Sequence, residues 1–201
     1  MSNLVLDCDY TQGSVLNKIY PDLPVTNTNV ELKHGVGAEF KVTSTTSLKY
    51  GNVSAFKPTT SLTIEAVVGE NSHVTAAAGC ILSDATNELW LQSGLVQGKV
   101  GGTFVDFGWT WAENAGRPMH LALVWNGTQV KCYRNGVVSF LVYNLASPIT
   151  QSLLDMCVGK RSGSTVYFGG AIKLVRLYKD KALTQNEVTR NWQNCVQRGL
   201  V

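Results

Sequence analysis

Asp84, Asn87 and Glu88 place three oxygen-bearing side chains in one short segment, the beginning of a cation site. Calcium needs about six to eight oxygens converging at a loop. Here the fold would have to bring Asp106 and Asp155 to join them, and the same residues also read as a solvated turn. Calcium is the one cofactor the sequence suggests. Aromatic side chains offer a second chemistry. Trp109 and Trp111 are two apart, with Phe104 and Phe107 beside them and Gly101, Gly102 and Gly116 around them. A glycine-bounded aromatic loop from Phe104 to Trp111 would present rings to the apolar CH faces of a sugar or to a protein. The alternative is that both tryptophans belong to the core. Lys160 and Arg161 add positive charge in a Ser-Gly-Ser loop, read either as a ligand contact or as a solvated turn. His34, His73 and His120 stand in no nucleophile motif, and no G-x-S-x-G elbow occurs.

These residues need elements to hold them, and the pattern is strands nearly throughout. Leu62 to Val68, Glu88 to Gln92, Leu95 to Val100 and His120 to Trp125 alternate or carry β-branched runs. Asp84 to Asn87 reads as a turn between two short strands. Asn126-Gly127 and Asn135-Gly136 are strong hairpin signals, because both central residues of a type I′ turn need positive φ. They predict a three-stranded meander from His120 to Tyr143. Gly170 to Tyr178 predicts one long strand, with Ile172, Leu174 and Arg176 on one face and Lys173, Val175 and Leu177 on the other. One helix is expected, from about Gln185 to about Cys195. Thr184 and Glu187 form a capping box, and Val188, Trp192 and Cys195 share a face. Many short strands and one terminal helix predict an all-β fold, a two-sheet antiparallel sandwich, with residues 1–201 as a single domain.

Composition limits the function classes. The 201 residues carry a net charge of +3 without a concentrated basic face, which argues against duplex nucleic acid as partner. Apolar residues make 44% of the chain and charged ones 15%, so a core forms and disorder is excluded. No apolar run approaches the roughly 18 residues a membrane span needs. The N-terminus has no basic region or apolar stretch of signal-peptide type, so no export signal is expected. The sequons at Asn52 and Asn126 are accordingly read as turns. The five cysteines form no C-x-x-C pair. They are expected as buried free thiols, with a Cys8–Cys195 bridge as the open alternative.

Gly35 to Phe40, Ser47 to Tyr50 and Ser61 to Val67 resemble the opening of laminin-G-like, concanavalin A-like jelly rolls. Met119 to Gly127 with Val130 to Gly136 resembles their central hairpin. Gly169 to Tyr178, Ala182 to Thr184 and Glu187 resemble their closing strand and helix. The chain departs from the family at Met119-His120 and at Val67, where tryptophans are usual, and at Arg134, where an apolar residue would suit the alternation. Ser83 to Trp90 also resembles a sialidase Asp-box, but lacks its glycine and spacing.

The resemblance implies a jelly roll whose relatives include lectins, adhesion modules, glycan hydrolases and phage virion domains. The hydrolase branch has paired acids in a Glu-x-Asp-x-x-Glu pattern. Glu65 and Glu70, five apart with no acid between, do not reproduce it, so no enzyme is expected. The first reading is a non-enzymatic virion surface protein: a capsid decoration, head fibre or tail-associated module. It would assemble in the host cytoplasm, dock on other virion or surface proteins and bind host glycan. An oligomer is compatible with it. The second is the lectin domain of a secreted adhesin. The third is a glycan hydrolase.

Overall fold

The computed structural model describes residues 3–41, 45–69, 78–92, 94–110, 117–146 and 148–201. In chain order the strands are β1 (Leu4–Asp9), β2 (Thr26–Thr28), β3 (Glu31–Lys33), β4 (Gly37–Phe40), β5 (Ser47–Gly51), β6 (Leu62–Val68), β7 (Ala78–Ser83) and β8 (Glu88–Gln92). There follow β9 (Leu95–Val100), β10 (Thr103–Thr110), β11 (Met119–Trp125), β12 (Gln129–Arg134), β13 (Val137–Asn144), β14 (Met156–Val158), β15 (Gly170–Lys179) and the helix α1 (Gln185–Gln197).

The strands form two antiparallel sheets, as the alternating runs predict. One has eight strands in the order β13-β12-β11-β6-β15-β4-β3, with β1 also on β15. The other has seven, β10-β9-β8-β7-β14-β5-β2. β15 serves two partners on one side: Gly170 to Ile172 pair with β4, and Leu174 to Tyr178 with β1. The inner faces meet in one core containing Leu6, Leu48, Ile64, Ile81, Leu91, Val96, Leu121, Leu123, Trp125 and Ile172. The sheets approach closely at Gly98, where a Cβ would stand 2.9 Å from a Leu123 methyl. A side chain at this position of β9 would require the Leu123 side chain of β11 to shift. Trp125 is fully buried, and its indole N–H donates to the Leu145 carbonyl at 2.8 Å.

β6 and β11 are buried at every position rather than at every second one. The cause is α1, which lies on the outer face of the eight-stranded sheet. Val188 packs with Ala122, Val124, Tyr133 and Leu183, and Cys195 with Val67, Leu174 and Leu200. The capping box forms as the sequence predicts: Thr184 Oγ1 accepts from the Glu187 amide while the Glu187 carboxylate accepts from the Thr184 amide. The helix also covers a polar cluster. Glu65, fully buried, accepts from Asn191 Nδ2 at 2.9 and 3.1 Å and from the Tyr178 hydroxyl at 3.2 Å, with His120 Nε2 at 3.3 Å.

Three local expectations are corrected. A bulge between Ile172 and Leu174 shifts the phase of β15, so Ile172, Val175 and Leu177 join the central core and Leu174 faces the helix. At the first Asn-Gly, Gly127 has φ +92° but Asn126 is not left-handed. Asn126 Oδ1 instead accepts from the amides of Thr128 and Gln129. The second Asn-Gly has both residues left-handed, at +49° and +75°. Finally, the aromatic segment expected as a loop is strand β10 as far as Thr110; Trp111 and Gly116 lie outside the described residues. The five cysteines are buried and free. Among the described residues no helix is long and apolar enough to cross a membrane.

Candidate binding site

In β8 the alternation Glu88-Leu89-Trp90-Leu91 turns both leucines into the core and puts Glu88 and Trp90 on the outer face. Register then builds a row: Glu88 stands opposite Lys99 of β9, and Lys99 opposite Phe104 of β10. The Phe104 ring stacks on Trp90 with centroids 5.5 Å apart and planes 23° from parallel. Trp90 is 4% exposed and Phe104 55%, so Phe104 is the face of this stack that meets solvent.

Two cations flank the rings. Lys99 Nζ lies 5.4 Å from the Phe104 centroid and donates to the Ala85 carbonyl at 2.7 Å. The Arg161 guanidinium lies 5.2 Å from the Trp90 centroid, and its Nε donates to Glu88 Oε1 at 3.0 Å. Glu88 is fully buried and also accepts from the Ser83 hydroxyl at 2.8 Å. Burial first, and the Glu88 charge second, hold the nearby Cys80 thiol well above its ordinary pKa, so it stays protonated. The segment after β14 that carries Arg161 is pinned across the sheet. Gly159 N–H donates to the Ile81 carbonyl at 3.0 Å, and Ser162 N–H to Ser83 Oγ at 3.1 Å. Lys160 bridges to Tyr167, its ammonium 5.4 Å from that ring. Trp90 Nε1 is buried with no hydrogen-bond partner among the described residues.

The structure therefore unites Phe104, Arg161 and Glu88 from three separate sequence candidates, around Trp90 and Lys99, which the sequence reading did not select. The available signal was the alternation in Glu88 to Gln92, which opposes Trp90 to both leucines. Other candidates go elsewhere. Phe107 is fully buried in the core. Trp109 is partly buried against it, with the Arg134 guanidinium 4.7 Å above its ring. Arg134 thus occupies its unexpected position as a lid on that indole. Asp84 Oδ1 accepts from the amides of Thr86 and Asn87, at 2.9 and 2.7 Å, closing the turn. Asn87 Oδ1 accepts from Gly101 N–H. With Glu88 turned to Arg161, these three oxygen sets meet protein donors instead of one common point. Among the described residues no group of three or more His, Cys, Asp or Glu could hold a metal. Glu65 lies on the other sheet beneath α1, and Glu70 and His73 lie outside the described residues.

The model of the laminin-G-like family described as the concanavalin A-like lectin/glucanase superfamily matches residues 42–189. The chain belongs to this superfamily. No curated protein matches it by sequence. Among solved structures, the concanavalin A-like fold superposes on the binding domain of botulinum neurotoxin DC, solved with rat synaptotagmin II. The TM-score is 0.72 at 10% identity, over 96% of this chain and 52% of that one. The serotype D ligand-binding domain solved with N-acetylneuraminic acid gives 0.72 at 10%, over 98% and 52%. The chain thus spans about half the length of these toxin domains. Domain 4 of AbnA, an extracellular arabinanase of Geobacillus stearothermophilus solved with arabinotriose, gives 0.65 at 15%, over 94% of this chain and 98% of that domain. At these identities the likeness establishes the fold.

Proposed function

We propose that this chain is a non-enzymatic binding module that holds a glycan on the outer face of its seven-stranded sheet. The observation that carries the reading is the exposed Phe104 ring, backed by Trp90 and flanked by Lys99 and Arg161. A ring fixed on a sheet offers contact area with little conformational freedom left to lose. The two cations would favour a glycan with an acidic substituent. Glycan-bound relatives of the same fold support the class of ligand.

A place on a virion surface, docked on other virion or surface proteins, belongs to the same proposal. What suggests it is the family resemblance alone, which implies relatives that include phage virion domains. Co-purification with particles tests that setting, and recovery only as a secreted adhesin would replace it. Titration with 3′-sialyllactose and with arabinotriose, using the protein and Phe104→Ala, tests the site. Saturable binding that Phe104→Ala weakens about tenfold or more supports it. Binding unchanged by that substitution would place the ligand elsewhere.

A further inference from the structure

Among the described residues the sheet paths end in β13 and β3 for one sheet and in β10 and β2 for the other. Edge strands offer surface to other chains and are commonly guarded by charge, shortness or a bulge. β3 is three residues long and carries Glu31 and Lys33, which pair with Lys41 at 2.9 Å and with Glu39 at 2.6 Å. β2 is three polar residues, Thr26, Asn27 and Thr28. β10 carries Asp106, and its ladder with β9 is interrupted between Asp106 and Thr110. β13 differs. Its eight residues, Val137–Asn144, include no charge and no proline. Val137 is 63% exposed, Val138 40%, Phe140 82% and Val142 47%, a concentration of open apolar side chains on one strand.

The register places Val138 opposite Tyr133 and Val142 opposite Lys131 of β12. Between these pairs Ser139, Phe140 and Leu141 face Cys132 alone. Such a bulge bends its strand and re-aims a side chain, here pushing Phe140 forward. Ser139 is turned inward, and its hydroxyl holds the bulge by accepting from the Leu141 amide at 3.0 Å. The bulge hinders extension of the backbone ladder, so what β13 offers another chain is its side chains.

We infer that β13 is an interface with a second copy of this chain, laid antiparallel about a two-fold axis at Phe140. A two-fold contact is self-complementary: whatever one residue meets must meet it in return. Val138-Ser-Phe-Leu-Val142 has this property, because its exposed apolar positions read the same in both directions about Phe140. Phe140 then meets the partner's Phe140, and Val138 meets the partner's Val142. No charge on the strand is brought against its like. One strand covers less than the roughly 800 Å² per partner of a standard interface, so the dimer forms and dissociates with concentration. The inference stands apart from the glycan reading, whose rings lie on the other sheet.

Sedimentation velocity on the intact chain, from about 10 μM to about 1 mM, tests the association. The mass is expected to rise from one chain to two. Phe140→Lys should hold it at one chain throughout with Tm unchanged, because that ring is open to solvent. Val138→Cys and Val142→Cys, which both keep Phe140, test the axis. Mixed and treated with oxidised glutathione they should crosslink to each other, the native thiols being buried. Each alone should not, since like positions four residues from register lie about 13 Å apart, beyond disulfide reach. A single-chain mass at every concentration would overturn the inference. So would a dimer indifferent to Phe140→Lys, or single variants that crosslink as readily as the mixture.

Discussion

Phe104 covers Trp90: the two rings stack 5.5 Å apart, from strands β10 and β8 with β9 between them. One ring is open to solvent and the other is nearly shut off by it. The pair is therefore a platform whose outer member contacts a ligand and whose inner member fixes its height. Truncating the outer ring should separate binding from stability. Phe104→Ala is expected to lose the stacking of about 0.5–1.5 kcal/mol, a drop in Tm of a few degrees by calorimetry. Glycan affinity should fall much further.

Phe107, three residues along β10, should behave in the opposite way. It is fully buried, so Phe107→Ala should cost about 3–5 kcal/mol. Trp109→Ala should cost less, because that indole is only partly buried and Arg134 closes over it. Urea unfolding of the two variants checks the order.

The contrast between these residues shows what sequence made legible. The sandwich, the meander, the capping box and the single helix follow from alternation, turn residues and spacing, all local signals. The phase of β15 does not. The bulge between Ile172 and Leu174 arises where β15 leaves β4 and takes up β1, a relation between strands far apart in sequence. The site fails to show for the same reason. Trp90, Lys99, Phe104 and Arg161 come from three strands and a loop, and only cross-strand register makes them neighbours. The aromatic density from Phe104 to Trp111 was visible, but alternation sends Phe104 outward and Phe107 inward. Burial on both faces of β6 and β11 likewise depends on a helix that comes some sixty residues or more later in the chain.

The polar cluster beneath α1 should act as a clamp. Asn191→Ala removes both amide donations to the buried Glu65 carboxylate and is expected to destabilise by about 1–3 kcal/mol. Denaturant titration of this variant against the exposed-face variant Asn194→Ala gives the comparison.

Acid should remove stability through defined carboxylates. Burial raises the Asp180 pKa, but the amides and hydroxyls of Thr59 and Thr60 outweigh it and hold it below the ordinary value. For Glu187 the Thr184 amide and Lys181 do the same. A carboxyl depressed in the folded state stabilises above its unfolded pKa of about 4, and that contribution is lost as pH falls through the folded value. Stability measured between pH 6 and pH 2 should therefore fall below about pH 4, and Asp180→Asn should flatten part of that fall. An equally steep fall in the variant would remove Asp180 from the account.

The thiols should be silent. Burial pushes Cys8 up to about 12 and Cys195 up to about 11, so neither is a thiolate near neutral pH. Colorimetric thiol titration is expected to find almost none reactive in the folded protein and all five after denaturation, with Tm unchanged by reductant.

The most direct measurement is the indole N–H resonance of Trp90, whose nitrogen has no partner among the described residues, followed during titration with 3′-sialyllactose. A saturable shift of that resonance and of the Phe104 ring protons is expected, with the Trp125 indole unmoved. Saturable binding that leaves both Trp90 and Phe104 unshifted would contradict the assignment of the glycan to this face.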